Sequence, residues 1–208
     1  MIDFYIQKML ILQEISKVNL DRAYRLLNHG PTVLVSTRHG NQTNVMAAAW
    51  NMPLDFDPPK IAIVIDKNTY TRELIEASGS FAINVPCRAQ AEMVVKVGSS
   101  SGRELLGKQP DNKFAAFDLQ TTPASKIDVP LLVGCVAWLE CKVIPEPHIQ
   151  NTYDLFLGEV VAAYADDRVF SDGHWHFEGP NGENYDELRT IHHIAGGNFM
   201  AIGQAFKA

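Results

Sequence analysis

Hydroxyl, amide and basic side chains at the ends of short apolar runs are the groups of this 208-residue chain best suited to chemistry. Thr69 and Thr71 open the segment TYTRELIEASG, Asn44 stands early in the run TNVMAAAW, and Lys108 follows a glycine in GRELLGKQ. A helix that begins at such threonines presents free N–H groups and a hydroxyl, which together can bind a phosphate. The same residues also suit a simple N-cap. Both readings predict a helix that starts at this point.

Several other chemistries lack the residues that they need. There is no G-x-S-x-G motif, and no cysteine stands where a histidine would activate it, so hydrolysis has no candidate nucleophile. GRELLGKQ approaches a P-loop, but Gln109 stands where the magnesium-binding Ser or Thr must be, and a predicted helix precedes it. No G-x-G-x-x-G follows a strand. His174 with His176, and His192 with His193, lack cysteine or carboxylate partners at a diagnostic spacing, so we predict no metal site.

Composition narrows the class of protein further. The chain has 18 basic and 24 acidic residues, a net charge of -6 and no basic run, which argues against a nucleic-acid partner. Cys87, Cys135 and Cys141 lie in or beside apolar segments, which favours reduced thiols and a cytoplasmic location. No run approaches the roughly 18–20 apolar residues that cross a bilayer, so we predict no membrane span. Residues 1–20 contain an early acid and no small-residue cleavage site, and we interpret them as an arm or helix.

Short strands outnumber helices along the chain. The patterns predict strands at Thr32–Thr37, Thr43–Trp50, Lys60–Asp66, Ser80–Val85, Pro130–Ile144 and Tyr153–Tyr164, and a short hairpin from Asp166–Asp172 and His174–Phe177. They predict helices at Ala23–Asn28 and Thr69–Gly79 and two within Ala89–Gly107, a break at Pro53–Pro59, and a mixed tail over Asn184–Ala208. We therefore expect a mainly β fold, an antiparallel barrel with a few covering helices, formed by residues 21–208 as one domain.

Several of these segments together carry a family resemblance. GPTVLVSTRHGNQTNVMAAAW at Gly30–Trp50, the pair Pro58–Pro59, TYTRELI, SFAINVP and LFLGEV at Leu155–Val160 resemble the flavin reductase domain family, and within it the flavoredoxin-like branch. The resemblance covers most of the chain. It implies an antiparallel split β-barrel of Greek-key type, non-covalent FMN, NADH or NADPH as a transient electron donor, and a homodimer with FMN at or near the interface.

The resemblance also implies which residues contact the cofactor. It assigns Asn44 and Trp50 to a strand beside the flavin, although a core tryptophan beside a turn asparagine would give the same pattern. Thr69 and Thr71, with Arg72 as a weaker candidate, are assigned to the phosphate. Lys108 resembles a lysine directed at the cofactor, with a solvated loop lysine as the alternative. The remaining predicted contacts are Met46, Ala47, Ala48, Asn84 and Phe177, and Phe199 is a further aromatic that could cover the flavin.

Two positions depart from the family pattern. Many relatives have a histidine just before the strand that ends in G-x-V, where this chain has Tyr153 and Asp154, with His148 upstream. We therefore expect any assistance to the flavin or the nicotinamide to come from His148 or Tyr153. Asp66 stands where relatives often have a serine, and a carboxylate close to a phosphate would be unfavourable.

The expected function is that of an FMN-dependent oxidoreductase that moves electrons from NAD(P)H to an acceptor. The flavin carries the difficult chemistry, so the protein needs no acid or base beyond it. Two alternatives stay open at this stage. One is a non-enzymatic FMN electron carrier, and the other is a flavin- or haem-binding sensor or store on the same fold.

Overall fold

The computed structural model describes residues 18–21, 26 and 30–206. Most of the predicted N-terminal arm and of the predicted helix Ala23–Asn28 lies outside the described residues. The strands are β1 (Val33–His39), β2 (Gln42–Ala48), β3 (Asn51–Phe56), β4 (Pro59–Val64), β5 (Ser80–Val85), β6 (Thr121–Pro123), β7 (Pro130–Leu132), β8 (Ala137–Ile144), β9 (Leu155–Ala165), β10 (Phe170–Ser171), β11 (His174–Trp175), β12 (Ile191–Ala195) and β13 (Asn198–Ala201). The α-helices are α1 (Tyr70–Ser78), α2 (Ala91–Gly98), α3 (Lys113–Ala116) and α4 (Pro147–Tyr153).

One antiparallel sheet of seven strands, in the order β2-β1-β5-β8-β9-β4-β3, forms the body of the protein. Its two edge strands, β2 and β3, are consecutive in the sequence and are joined only by Ala49 and Trp50. Because the three Cα–Cα steps from Ala48 to Asn51 span about 11 Å at most, the two edges of the sheet must approach each other at this link. The Val64 N–H donates to the Trp50 carbonyl at 3.0 Å, which continues the β3–β4 pairing into the link. The expected antiparallel split barrel is confirmed.

Alternating apolar residues fill the interior of the sheet. Val35 of β1, Ile63 of β4, Phe81 of β5 and Phe156 of β9 belong to one buried cluster. Each such side chain contributes roughly 1.5–3 kcal/mol by leaving water. Gly158 is part of this packing, because a Cβ there would lie 2.8 Å from the Phe81 ring. The glycine of the LFLGEV segment therefore has a packing role.

The predicted helix after β4 is present and capped at both ends. The Arg72 N–H donates to the Thr69 hydroxyl at 3.3 Å. At the other end Gly79 adopts a φ of 69° and its N–H donates to the Ile75 carbonyl at 2.8 Å. A residue with a Cβ would be strained in this left-handed conformation, so glycine ends the helix here.

Three predictions from prolines and glycines need correction. The segment Pro53–Pro59 is not a break but the turn of the β3–β4 hairpin with most of β3, and Pro53 is tolerated because β3 is an edge strand. The predicted strand Pro130–Ile144 is divided into β7 and β8 at Gly134, whose φ is 87°. Pro147 begins helix α4, which was missed, because proline suits the first turn of a helix. Tyr153 ends that helix and does not start β9.

The tail folds as the hairpin β12–β13 against the start of β1. The Thr32 N–H donates to the Ile191 carbonyl at 2.9 Å, and the His193 N–H donates to the Thr32 hydroxyl at 2.8 Å. Ile191 and Phe199 pack in a second apolar cluster with residues of β1, β2 and α2. The tail hairpin and α2 are thus held on the same side of the barrel, next to β2.

Candidate functional site

Two hollows lie side by side along β2, the edge strand of the sheet. The first, here called the helix cavity, has a volume of about 280 Å³ and lies at the start of α1; it is lined by Asn44, Thr71, Ser101, Gly102 and Lys113 among others. The second, here called the hairpin cleft, has a volume of about 300 Å³ and is lined by Ala48, Ala49, Val94, His193 and Phe199 among others. Both are near the lower end of the roughly 300–1,000 Å³ typical of ligand sites.

Ala47 and Gly98 line both hollows and form the neck between them. A Cβ at Gly98 would lie 3.3 Å from the Ala47 Cβ, which is tighter than ordinary contact. A larger residue at either position would therefore close the neck. Because β2 has a strand partner on one side only, alternate backbone N–H and C=O groups along its free edge are available to a ligand.

An amide and a hydroxyl meet inside the helix cavity. The Asn44 Nδ2 donates to the Thr71 Oγ1 at 2.8 Å, and both side chains are buried. Since the Thr71 oxygen accepts this bond, its own proton remains available to a ligand. The Asn44 Oδ1 has no partner among the described residues. A Cβ at Gly102 would collide with that oxygen, so glycine is required beside Asn44.

A buried ammonium group lines the same cavity. The Lys113 side chain is almost fully buried on α3, and its Nζ donates to the Val97 carbonyl at 2.8 Å. Burial lowers the pKa of Lys113 to about 8, because the charged form is poorly solvated there. This carbonyl satisfies one of the three N–H donors of a charged ammonium, and no other described residue accepts from the remaining two, so an anion in the cavity would stabilise the charge.

The start of α1 completes the polar wall of the helix cavity. The first N–H groups of a helix have no partners within the helix, and they carry part of its positive dipole. The buried Tyr70 hydroxyl has no hydrogen-bond partner among the described residues, and burial raises the pKa of Tyr70, which keeps this donor protonated. Asp66 does not line the cavity: its carboxylate accepts the Asn68 N–H at 2.8 Å and shapes the turn before the helix. The predicted conflict between Asp66 and a phosphate is therefore reduced.

The hairpin cleft has a different character. Alanines of β2, valines of α2 and the Phe199 ring make most of its walls. The His193 imidazole stands in this apolar setting and contacts Phe199 edge to face, with 5.5 Å between the ring centroids. Such a cleft suits a flat ring system with a few polar edges.

The structure brings six of the predicted site residues together along β2 and the start of α1. They line the two hollows as follows: Asn44, Met46, Thr69 and Thr71 in the helix cavity, Ala48 in the hairpin cleft, and Ala47 in both. The Thr69 hydroxyl is also used locally, since it donates to the Asp66 carbonyl at 2.8 Å and caps α1.

Two predicted residues have structural contacts elsewhere. The buried Arg72 pairs with Asp154 and Glu76 and does not line the cavity, and its guanidinium lies 5.2 Å from the centre of the Phe156 ring. Asn84 is fully buried and ties strands together: its amide donates to the Leu34 carbonyl at 3.0 Å and accepts the Leu132 N–H at 2.8 Å. Neither side chain lines the hollows.

The other predicted residues also lie outside the two hollows within this chain. Lys108 is exposed on the loop before α3, and Trp50 is half exposed at the β2–β3 link. Phe177 is buried beside Trp175, with parallel rings 6.1 Å apart. His148 and Tyr153 belong to α4, on the Arg72 side of the sheet. Their predicted roles toward a cofactor stay predictions.

Sequence reasoning missed Lys113 and gave no role in the site to His193. A basic residue in the segment DNKFAAF offers no signal of burial, and only the fold shows that Lys113, at the start of α3, lines the cavity. His193 was noted only as one of a pair of adjacent histidines. Its place opposite Phe199 depends on the β12–β13 register.

Two further observations limit the chemistry. The described residues include no group of three or more His, Cys, Asp and Glu side chains placed to hold a metal ion. Cys87, Cys135 and Cys141 are buried free thiols, and burial raises the pKa of Cys135 and of Cys141 to about 12, which makes these two poor nucleophiles. Among the described residues, no helix combines the length and apolar character needed to cross a bilayer.

These features fit a phosphorylated flat cofactor such as FMN. The helix cavity offers an ammonium, a hydroxyl proton and helix N–H groups, which are the donors that a phosphate needs. The hairpin cleft offers apolar walls to a ring system, and the free edge of β2 offers backbone groups to the ring's polar atoms.

Comparisons with known proteins agree with this fit. The family model of the flavin reductase like domain matches residues 25–182. The chain is 42% identical to the protein YddH of Escherichia coli (strain K12) over 194 residues, which cover 92% of this chain and 96% of YddH. Among solved structures, an FMN-binding domain of a flavin reductases-like enzyme from Shewanella baltica OS155 is 49% identical, with a TM-score of 0.78 and coverage of 94% and 97% of the two chains.

A second solved structure is more distant. The flavoredoxin of Desulfovibrio vulgaris (Miyazaki F) is 25% identical and has a TM-score of 0.72. The match covers 94% of this chain and 97% of the flavoredoxin chain. The barrel, the expected FMN-binding architecture and the long family match agree with one another. The chain belongs to the flavin reductase-like domain family.

Proposed function

We propose that this protein binds FMN in the two hollows along β2 and that it is an oxidoreductase, moving electrons from NADH or NADPH through the flavin to an acceptor. One observation carries the proposal: the Thr71 hydroxyl, the start of α1 and the buried Lys113 converge on one cavity, and that cavity meets an apolar cleft at Gly98. The FMN-binding relative from Shewanella baltica supports the choice of cofactor.

Each end of the site has a separate task in this proposal. In the helix cavity, Thr71 and Lys113 bind the phosphate, and the N–H groups of α1 add their dipole. In the hairpin cleft, Phe199 and the valines of α2 exclude water from the ring, and the edge of β2 orients it. Bound FMN supplies the hydride and electron transfer chemistry, while the protein supplies binding and orientation.

The phosphate assignment is tested with Thr71→Val, which keeps the shape of the side chain and removes the hydroxyl. A hydrogen bond to a charged group contributes about 1.5–3 kcal/mol, so we expect FMN affinity to fall by about ten- to a hundredfold. Riboflavin has no phosphate, and its affinity should change little. Fluorescence titration of the apoprotein with both ligands measures this. Thr43→Val is the matched control on β2, since Thr43 does not line the cavity.

Two outcomes of the FMN titration would contradict the proposal, each in a different part. If purified protein is colourless and the wild-type apoprotein binds no FMN in titration, the proposed function is wrong. If Thr71→Val lowers FMN and riboflavin affinity equally, FMN binds but its phosphate lies elsewhere.

Electron transfer needs a separate test. Mixing the FMN-loaded protein with NADH or NADPH without oxygen should bleach the flavin absorbance within seconds to minutes. No bleaching with either donor would instead support an electron carrier that another protein reduces, a role that the flavoredoxin relative makes worth testing. A protein that binds FMN yet exchanges electrons with no donor or acceptor would be a sensor or store.

A further inference from the structure

A single titratable side chain lines the hairpin cleft among the described residues. The cleft walls contain two hydroxyl residues, Thr32 and Ser99, and otherwise alanine, valine, glycine and phenylalanine. Only the imidazole of His193 can change its charge there. Imidazole is the side-chain group that, free in water, changes its charge between about pH 5 and pH 8.

His193 is held in place from two directions. Its backbone N–H donates to the Thr32 hydroxyl at 2.8 Å, which ties β12 to the residue before β1. Its ring faces Phe199 across the β12–β13 pair, at an interplanar angle of 63°. The side chain is half buried in this position. The hairpin thus keeps the imidazole at the cleft without placing it in the closed core.

The charged groups of the neighbouring elements do not line the cleft. Glu92 and Lys96 belong to α2, and His192 precedes His193 on β12, but none of the three is among the lining residues. Lys113 lines only the helix cavity, beyond the neck at Gly98 and Ala47. The nearby segments of β2 and β13 carry no charged residue. Within the part of the chain that the structure describes, a charge on His193 therefore acts on a ligand in the cleft with little local competition.

We propose that His193 is the charge-setting residue of this site: its protonation favours the anionic reduced form of FMN over the oxidised form, and so makes the reduction potential of the bound cofactor depend on pH. The inference rests on the proposed function. A cation in an apolar cleft interacts strongly with an anion, because little water screens the pair. The sign follows directly, since protonation of His193 at low pH stabilises the reduced state and raises the potential.

The test is a potentiometric titration of the FMN-loaded protein between pH 5.5 and pH 8.5, comparing wild type with His193→Gln. At pH 5.5 we expect the variant to lose at least tenfold in its preference for reduced over oxidised FMN, which for a two-electron couple is about 30 mV lower. At pH 8.5 the two potentials should coincide. His192→Gln is the matched control on the same strand, and its potentials should follow wild type at every pH.

A second variant and a second measurement guard against misfolding. His193→Phe keeps an aromatic ring beside Phe199 and should show the same loss as His193→Gln. In the wild-type protein, the NMR titration curve of the His193 ring protons should shift when FMN is reduced. The curve of the His192 ring protons should not shift with it. Potentials of wild type and both variants that stay parallel across the pH range would overturn the inference while leaving FMN binding intact. A wild-type protein that binds no FMN would overturn the proposed function, and the inference with it.

Discussion

The buried ammonium of Lys113 makes the stability of the protein depend on pH. In the folded chain burial lowers the pKa of Lys113 to about 8, whereas the unfolded chain keeps the ordinary value of about 10.4. Between these values the unfolded state binds more protons, so the contribution of Lys113 to stability rises with pH and is lost below about pH 8. At 1.36 kcal/mol per pKa unit, the full rise is about 3 kcal/mol.

We therefore expect the unfolding free energy of the wild type minus that of Lys113→Met to rise by up to about 3 kcal/mol from pH 8 to pH 10.5. Urea unfolding of the apoproteins measures this difference. The buried thiols, whose pKa values are raised, contribute equally to both proteins and cancel in the difference. Lys113→Met should also weaken FMN binding more than riboflavin binding. Lys108→Met, on the exposed loop, is the control for both. A difference that does not vary with pH would contradict the burial of this charge.

Single residues differed in how far the sequence could locate them. Thr71 and Asn44 were predicted to share a site, and the structure joins them by a hydrogen bond. The role of Lys108 toward the cofactor stays a prediction, whereas Lys113, which lines the helix cavity from α3, was missed because its neighbours in the sequence do not show that it is buried. Residue type and local spacing identified Thr71 and Asn44, but the burial of Lys113 depends on contacts that are distant in sequence, such as its bond to the Val97 carbonyl.

Two adjacent residues of helix α1, Thr71 and Arg72, contact different parts of the protein. Thr71 faces the helix cavity, while Arg72 faces the turn between α4 and β9. There Arg72 also donates to the Gln150 carbonyl at 2.9 Å, and its side chain is only 6% exposed. Arg72 thus anchors the helix that carries the proposed phosphate-binding groups.

Replacing Arg72 with Met should destabilise the protein by about 2–4 kcal/mol, because Asp154 loses its buried partner and the Gln150 carbonyl loses a donor. Urea unfolding measures this change. Arg38→Met is the control, since Arg38 pairs with an Asp128 side chain that is 83% exposed, and such pairs contribute at most about 1 kcal/mol. A loss below about 1 kcal/mol for Arg72→Met would show that the network does not anchor α1.

Elements with clear end signals were the easiest to predict. Thr69 and Gly79 define α1 in the sequence as in the structure. Helix α4 was missed because its two flanking prolines favour a break, although Pro147 occupies a position where a helix tolerates proline. The β3–β4 hairpin was missed for a similar reason, since the position of a strand in the sheet decides whether proline fits.

At the scale of the whole molecule, an apolar face stands exposed at one edge of the barrel within the residues that the structure describes. Met52, Leu54 and Phe56 alternate along β3, and all three side chains are substantially exposed. An apolar edge strand of this kind invites pairing with another chain unless it is covered. We propose that a second copy of this chain covers it, giving the homodimer expected from the family resemblance.

Light scattering coupled to size-exclusion chromatography should then give a mass near twice that of the 23.1 kDa chain at micromolar concentration. The double variant Leu54→Glu with Phe56→Glu should elute as a monomer, because it places four charges in a dimer interface. Val133→Glu, at an exposed apolar position away from β3, is the control and should remain dimeric. A monomeric wild type would refute the proposed dimer.

The fold class was predictable from the number and spacing of short strands, but the strand order was not. Order depends on pairings such as β5 with β8, whose residues lie more than 50 positions apart. The sequence also gives no sign that β2 and β3, although consecutive, occupy opposite edges.

The short link at Ala49 and Trp50 fixes the register of β2, the strand before it. Side chains alternate along β2, so sliding this strand by one residue would turn Asn44 away from Thr71 and bring Thr43 in its place. With β3 anchored on β4 at the far edge, two residues leave no slack for such a slide. Closure of the barrel and the alignment of Asn44 with Thr71 thus depend on the same short link. A one-residue insertion in the link would disturb both together.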